Sequence, residues 1–261
     1  MDLELKGKRA LVTGSTAGIG AAIAAGLARE GARVIVNGRA SVDVEKAVAA
    51  LKAESRGEVT GFAGDLGAAG PIEDLVRLHP EVDILVNNLG IFEPKPFEDI
   101  PDSDSMRFFE VNVLSGVRLS RAYLPAMKRA NWGRIIFISS ESALQIPAEM
   151  IHYGVTKTAQ IAVARGLAET LAGTGITVNS VLPGPTRSRG VNDFISALGS
   201  GASFEAFQTE FFEKFRPTSL LKRFETPEEI ASFVTYLASP LSSGITGAAL
   251  RVEGGVVKSA F

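Results

Sequence analysis

Apolar runs that fail to alternate with polar residues constrain this chain most. Ile135-Ile136-Phe137-Ile138 offers no polar side to the pleat, so a strand built from it must be covered on both faces. Comparable β-branched runs predict strands over Arg9–Thr13, Arg33–Asn37, Glu58–Ala63, Asp83–Asn87, Arg134–Ser139, Thr177–Leu182 and Ala249–Val252. Between them, stretches of helical period run over Gly18–Glu30, Val42–Glu54, Pro71–Arg77, Ser103–Arg129, Ile151–Leu171 and Pro227–Ala238. Strands that alternate with helices in this way predict an α/β fold, a doubly wound parallel seven-stranded sheet with helices on both faces.

At 261 residues the chain fits one domain, 1–261, because a single α/β sheet often reaches this length. Hydrophobic residues at 46% and charged residues at 21% supply a core and argue against disorder. Lys and Arg number 27 against 29 Asp and Glu, a net charge of -2 without the basic excess that nucleic acid or an anionic membrane surface requires. There is no cysteine, which excludes disulfides and thiolate chemistry. With only His79 and His152, a histidine-rich zinc site is excluded too, and no metal is expected. Met1–Arg9 holds no signal-peptide apolar run, and no window reaches the roughly 18 apolar residues of a membrane span. A soluble cytoplasmic protein is expected.

One segment breaks the rhythm. From about Gly184 to Phe224 the short strand-to-helix turn becomes a long insertion with seven of the 15 phenylalanines. Phe204, Phe207, Phe211 and Phe215 are spaced three, four and four apart and predict a stripe on one helix face. Long insertions in compact domains are often lids, so 184–224 is expected to close over a substrate while also packing on the core.

Three motifs carry chemistry. Thr13-Gly14-Ser15-Thr16-Ala17-Gly18-Ile19-Gly20 closes the first strand and opens a helix, whose N-terminal N–H groups and positive dipole end suit a pyrophosphate. At the end of the second strand, Val36-Asn37-Gly38-Arg39 lacks the carboxylate that would accept from a ribose 2′-hydroxyl. Arg39 suits a 2′-phosphate instead, which favours NADP over NAD. Tyr153 and Lys157 sit four apart on one helix face, and Ser139-Ser140 ends the preceding strand at the carboxyl edge of the sheet. A lysine ammonium about 4 Å from a phenol favours the phenolate by about 4 kcal/mol at an effective dielectric near 20, which brings Tyr153 toward the range of a general acid or base. Ser140 would hydrogen-bond a carbonyl or alkoxide oxygen. Asn112, in Phe109-Glu110-Val111-Asn112, reads by itself as an irregularity in a helix.

Together these pieces resemble the short-chain dehydrogenase/reductase family in its ordinary single-domain branch, over essentially the whole chain. The matching elements are the Thr-Gly-x-x-x-Gly-x-Gly run, Asp65-Leu66, Asn87-Asn88-Leu89-Gly90, Asn112, Ser140, Tyr153-x-x-x-Lys157 and Pro183-Gly184. Ser140 is chosen over Ser139 because the family's serine lies thirteen positions before its tyrosine. The resemblance implies a Rossmann-type fold and hydride transfer between a nicotinamide ring and a carbonyl or secondary alcohol. It makes Tyr153 the proton donor or acceptor, Ser140 the holder of the substrate oxygen, Lys157 a ribose ligand that lowers the tyrosine pKa, and Asn112 the anchor of a relay water. Cofactor contacts are implied at Gly14, Ser15, Gly18, Ile19, Gly20, Arg39, Asp65, Leu66, Asn88, Gly90, Tyr153, Lys157, Pro183, Gly184 and Thr186. Leu89 departs from the family's usual alanine, Ala17 stands where a basic residue often does, and Glu141 places a carboxylate beside Ser140 that is expected to point away from the site.

The activity expected is that of an NADP(H)-dependent oxidoreductase on a fairly apolar ketone or secondary alcohol, with Leu144, Ile146, Met150 and the phenylalanine-rich insertion as pocket wall. The alternatives are a 3-oxoacyl-thioester reductase and, from another class, a non-catalytic nucleotide-binding sensor. Retention of Asn112, Ser140, Tyr153 and Lys157 speaks against the sensor. The resemblance also implies a homotetramer or homodimer.

Overall fold

The computed structural model describes residues 2–187 and 203–260. Its centre is one parallel sheet of seven strands: β1 (Arg9–Val12), β2 (Arg33–Gly38), β3 (Val59–Ala63), β4 (Ile84–Asn87), β5 (Gly133–Ile138), β6 (Ile176–Pro183) and β7 (Ala249–Val252). The spatial order is β3-β2-β1-β4-β5-β6-β7. The chain winds outward from β1 to β3, then restarts at β4 on the other side of β1. That reversal opens a crevice at the carboxyl ends of β1 and β4.

Two cores explain why β5 does not alternate. Ile136 and Ile138 pack into one cluster with Val12, Val36, Val86 and Val181. Ile135 and Phe137 point the opposite way, into a second cluster with Leu11, Leu85 and Val178. Exposures of 0, 1 and 0% for Ile135, Ile136 and Phe137 show that both faces are sealed. Each such side chain contributes about 1.5–3 kcal/mol of burial.

Helices α1 (Gly18–Arg29) and α2 (Ser41–Glu54) follow β1 and β2, and α3 (Ala69–Leu78) follows β3. The single helix expected over Ser103–Arg129 is instead two, α4 (Asp102–Phe109) and α5 (Ser115–Ala130), joined by a wide π-turn over Glu110–Leu114. In that turn the Ser115 N–H reaches back to the Glu110 carbonyl, one residue further than an α-helix allows. Helix α6 (Ile151–Glu169) precedes β6.

The insertion expected over 184–224 is described only in part, since 188–202 lies outside the described residues. Its phenylalanines form α7 (Phe204–Lys214), N-capped by the Ser203 hydroxyl. Phe204, Phe207 and Phe211 gather around Phe224, with ring centroids 5.9, 6.1 and 4.9 Å away. The stripe is shorter than its spacing predicts, because the helix stops before Phe215, which is 52% exposed. Phe212, off the stripe, is the member buried in the core. Helix α8 (Pro227–Leu237) opens on a capping box, in which Thr226 and Glu229 satisfy each other's backbone N–H groups. No helix among the described residues is long and apolar enough to cross a membrane.

Candidate active site

The turn between β1 and α1 is held by side chains from three directions. Asn37 accepts from the Gly14 N–H (3.1 Å), and Ser15 donates to the Val12 carbonyl (2.7 Å) while accepting from the Asn37 N–H (3.0 Å). Asn88 donates to the carbonyls of Thr13 (2.8 Å) and Gly14 (3.1 Å). In return, the Thr13 hydroxyl accepts from the N–H groups of Asn88 (2.9 Å) and Leu89 (2.8 Å). Ser15 and Asn88 therefore spend their side chains on the turn itself, and what they present to a ligand is backbone.

Two glycines in this turn are required by geometry. Gly18 has φ +57°, a left-handed conformation that a side chain disfavours. At Gly20 a Cβ would lie 2.5 Å from both the Asn88 amide and the Gly14 carbonyl. Helix α1 begins at Gly18 with no side-chain cap and no acidic residue in its first turn. Its N–H groups and dipole are left for an anion, which fits the diphosphate of a dinucleotide. Arg39 stands exposed just past β2 and makes no hydrogen bond or ion pair among the described residues. Asp65 is exposed as well and accepts from the Gly67 N–H (3.0 Å). Leu66 is different: its side chain lies in the core, so only its backbone faces outward.

The second group of residues collects where β5 ends, at the same carboxyl edge. Ser139 donates to the Lys157 carbonyl (2.8 Å) and fastens α6 to the strand. Ser140 has the freer hydroxyl. It accepts from the Ser142 N–H (3.1 Å) and lies close enough to the Tyr153 phenol to lower its pKa. That division of labour supports the choice of Ser140 over its neighbour. Tyr153 is half-buried in the first turn of α6, with the Phe92 ring edge-on at 6.3 Å.

Lys157 departs from expectation. Its ammonium donates to the Ile138 carbonyl (2.9 Å) and to Gln160 Oε1 (3.3 Å), and lies 5.5 Å from the centroid of the Tyr153 ring. Burial pushes the Tyr153 phenol up to about 12, with the Glu141 charge adding to the rise and the Ser140 hydroxyl and Arg216 opposing it. Burial also pushes Lys157 down to about 7. The expected depression of the tyrosine pKa by the lysine is therefore absent in this arrangement, because the ammonium is turned to the strand. At neutral pH the phenol holds its proton and is set up as a donor.

Asn112 does more than interrupt a helix. Its side chain accepts from the Ile91 N–H (2.8 Å) and donates to the Ile91 carbonyl (3.0 Å) and the Thr156 hydroxyl (3.0 Å). It thereby ties the loop after β4 to α6. Gly90 lies between the two groups: a Cβ there would sit 3.4 Å from the Lys157 ammonium and 3.5 Å from Asn112 Oδ1. On the far side, Thr186 donates to the Gly184 carbonyl (2.9 Å), and the Gly184 N–H donates to the carboxylate of Glu225 (3.1 Å).

The sequence marked Glu141 but not the residue it meets here. Glu141, next to Ser140, is 3% exposed, and Arg216, 7% exposed, meets it at 2.8 Å from the segment after α7. The same guanidinium reaches Glu149 at 3.2 Å. Glu141 thus points to Arg216, away from the crevice, yet its charge still raises the Tyr153 pKa and Arg216 offsets it. No sequence signal marks Arg216 as its partner, since 75 positions separate them. His152 is buried against the Phe108 ring (4.2 Å between centroids) and is kept neutral by burial, a packing role.

Glu225 is buried and pushed up to about 7. An unfolded glutamate titrates near 4.3, so the folded carboxyl holds its proton between these values. Stability from this group is then full in acid and falls as pH rises toward 7. Glu225→Gln keeps an acceptor for Gly184 without the charge. It is expected to stabilise the protein by on the order of 1–3 kcal/mol at pH 8 and by little at pH 4, measured by urea unfolding. Equal effects at both pH values would contradict the assignment.

The family described as enoyl-(acyl carrier protein) reductase matches residues 14–257. An uncharacterized oxidoreductase of Bacillus subtilis, YvaG, is 51% identical over 264 residues, covering 100% of both chains. Dehydrogenase/reductase SDR family member 4 of Bos taurus is 36% identical over 259 residues, covering 96% of this chain and 88% of the other. The crystal structure of L-sorbose reductase from Gluconobacter frateurii, complexed with NADPH and L-sorbose, superposes with a TM-score of 0.93 at 30% identity, over 99% of this chain and 100% of the other.

Proposed function

The chain belongs to the short-chain dehydrogenase/reductase family of oxidoreductases, and on that premise we propose that it interconverts a fairly apolar ketone and its secondary alcohol with NADP(H), using Tyr153 as general acid/base. One observation carries the reading. A neutral, half-buried phenol beside the Ser140 hydroxyl stands at the sheet edge where the uncapped end of α1 also opens.

When bound, NADPH supplies the hydride. The chain's own residues do the rest. Ser140 positions the carbonyl oxygen through its hydroxyl, next to the Tyr153 hydroxyl. As negative charge grows on that oxygen, the Tyr153 phenol delivers its proton, and in the oxidative direction it takes the proton back. Lys157 has one N–H left after Ile138 and Gln160, and that donor serves the ribose side of the crevice near Gly90. Asn112 fixes the loop that carries Gly90, and its place beside Lys157 is consistent with a role in proton relay.

Exposed apolar side chains support the choice of substrate. Leu144 and Ile146 follow Ser140, and Phe92 lies against Tyr153. The described part of the insertion, α7 with the exposed Phe215, would serve as the substrate lid, and 1–261 works as one domain. Met106 and Phe109 at α4 and Val155 on α6 are exposed and apolar, the kind of surface that a homodimer or homotetramer covers. The enzyme is assigned to the cytoplasm.

NADP is preferred because Arg39 stands at the end of β2 with no acidic residue beside it. Arg39→Asp is expected to raise the Kd for NADPH roughly tenfold to a hundredfold, the value of a charge-assisted hydrogen bond, while the Kd for NADH changes little. Equal weakening of both would remove the 2′-phosphate contact. The substrate class is tested by following NADPH oxidation across ketones, diketones and 3-oxoacyl thioesters. The proposal expects turnover with simple apolar ketones, whereas turnover confined to the thioesters would replace it with the acyl-thioester alternative.

A further inference from the structure

Gln160 lies one further step along the face of α6 that carries Tyr153 and Lys157, at positions i, i+4 and i+7. It is 1% exposed and sits between two groups of opposite hydrogen-bonding character. Its Oε1 accepts from the Lys157 ammonium (3.3 Å), and its Nε2 donates to the Asn112 main-chain carbonyl (2.5 Å). A carbonyl can only accept and an ammonium can only donate, so these partners fix the orientation of the amide.

The Asn112 carbonyl that Gln160 reaches lies within the π-turn. With the Ser115 N–H drawn back to Glu110, the carbonyls of Val111 and Asn112 accept from side chains, the Ser115 hydroxyl (2.6 Å) and the Gln160 amide. Resting on the functional reading given above, we propose that Gln160 is a positioning residue that seats the Lys157 ammonium and couples it to the Asn112 turn, so that the lysine's third donor faces the crevice.

Charged groups on the elements around α6 do not compete for this lysine. Glu141 and Glu149 pair with Arg216, Glu110 with Arg118, Asp104 with Lys95 and Arg107 with Glu93, and Asp102 is exposed. Arg134 of β5 is held by backbone carbonyls. On α6 itself, His152 is neutral, and Arg165 pairs with Glu169. Burial is what lowers Lys157, and no charged side chain among the described residues offsets it. The acceptors on Ile138 and Gln160 are what hold the proton on its nitrogen.

The test compares kcat against pH for wild type, Gln160→Met and Gln160→Glu, with Tyr153→Phe as control. Methionine keeps the volume and removes both bonds. It is expected to lower kcat roughly tenfold, to move the high-pH limb to lower pH, and to leave the substrate KM within about threefold, because Gln160 touches no substrate. Glutamate restores an acceptor with charge and is expected to move the same limb to higher pH. Shifts of opposite sign support the proposal, and if the methionine variant does not fold, the upward shift in the glutamate variant decides alone. Folded variants with the wild-type profile, or shifts of the same sign that track a lowered Tm, overturn it while leaving the Tyr153 reading intact. An active Tyr153→Phe overturns that reading and this inference together.

Discussion

Tyr153→Phe is expected to lower kcat for ketone reduction by roughly 10²–10⁴, the usual contribution of a positioned general acid, with NADPH binding unchanged. The phenyl ring keeps its packing against Phe92 and loses only the hydroxyl beside Ser140. The loss should persist across the neutral range, because the wild-type phenol is protonated up to about 12 and its supply of protons does not titrate there. The limb that does appear near neutrality belongs to Lys157, lowered to about 7 by burial. Steady-state assays with parallel NADPH fluorescence titrations check both halves. Activity within tenfold of wild type would remove Tyr153 from the chemistry.

Arg216→Met is expected to be the most destabilising of the substitutions considered, by about 3–5 kcal/mol, the cost of leaving a buried carboxylate without its partner. Glu141 is already pushed up by burial, and Arg216 is its opposing cation. Without the guanidinium the carboxyl escapes the penalty by taking a proton. The defect should therefore shrink in acid and deepen as pH rises through the raised pKa of the variant. Adding Glu141→Gln should recover much of the loss, since the two residues form one unit. Urea unfolding at pH 5 and pH 8 measures this. A loss that does not depend on pH, or two losses that simply add, would mean the pair does not hold the insertion to the Ser140 loop.

The sheet was legible because its strands are sealed on both faces. Each predicted strand lies within two residues of the one observed, since residues such as Ile135 and Ile136 leave no polar register to choose between. Asn112 was read as an irregularity, yet the helix around it was taken as one because a π-turn leaves no break in apolar period. It is visible only in where the Ser115 N–H reaches. In the candidate site, the four-residue spacing of Tyr153 and Lys157 fixes a shared face but not where a four-carbon side chain ends. The ammonium was expected beside the phenol and lies instead against the Ile138 carbonyl. Gln160 was available to the same reasoning, three positions beyond Lys157 on that face. Arg216 was not, because its meeting with Glu141 is made by the tertiary fold alone.

The most direct measurement follows the label in a single turnover of the wild-type enzyme, given NADPH deuterated at the transferable nicotinamide position and an apolar ketone. The account predicts deuterium on the carbinol carbon of the product, with the hydroxyl proton coming from solvent by way of Tyr153. Conversion of the ketone with the label retained on the nicotinamide or lost to water would contradict it.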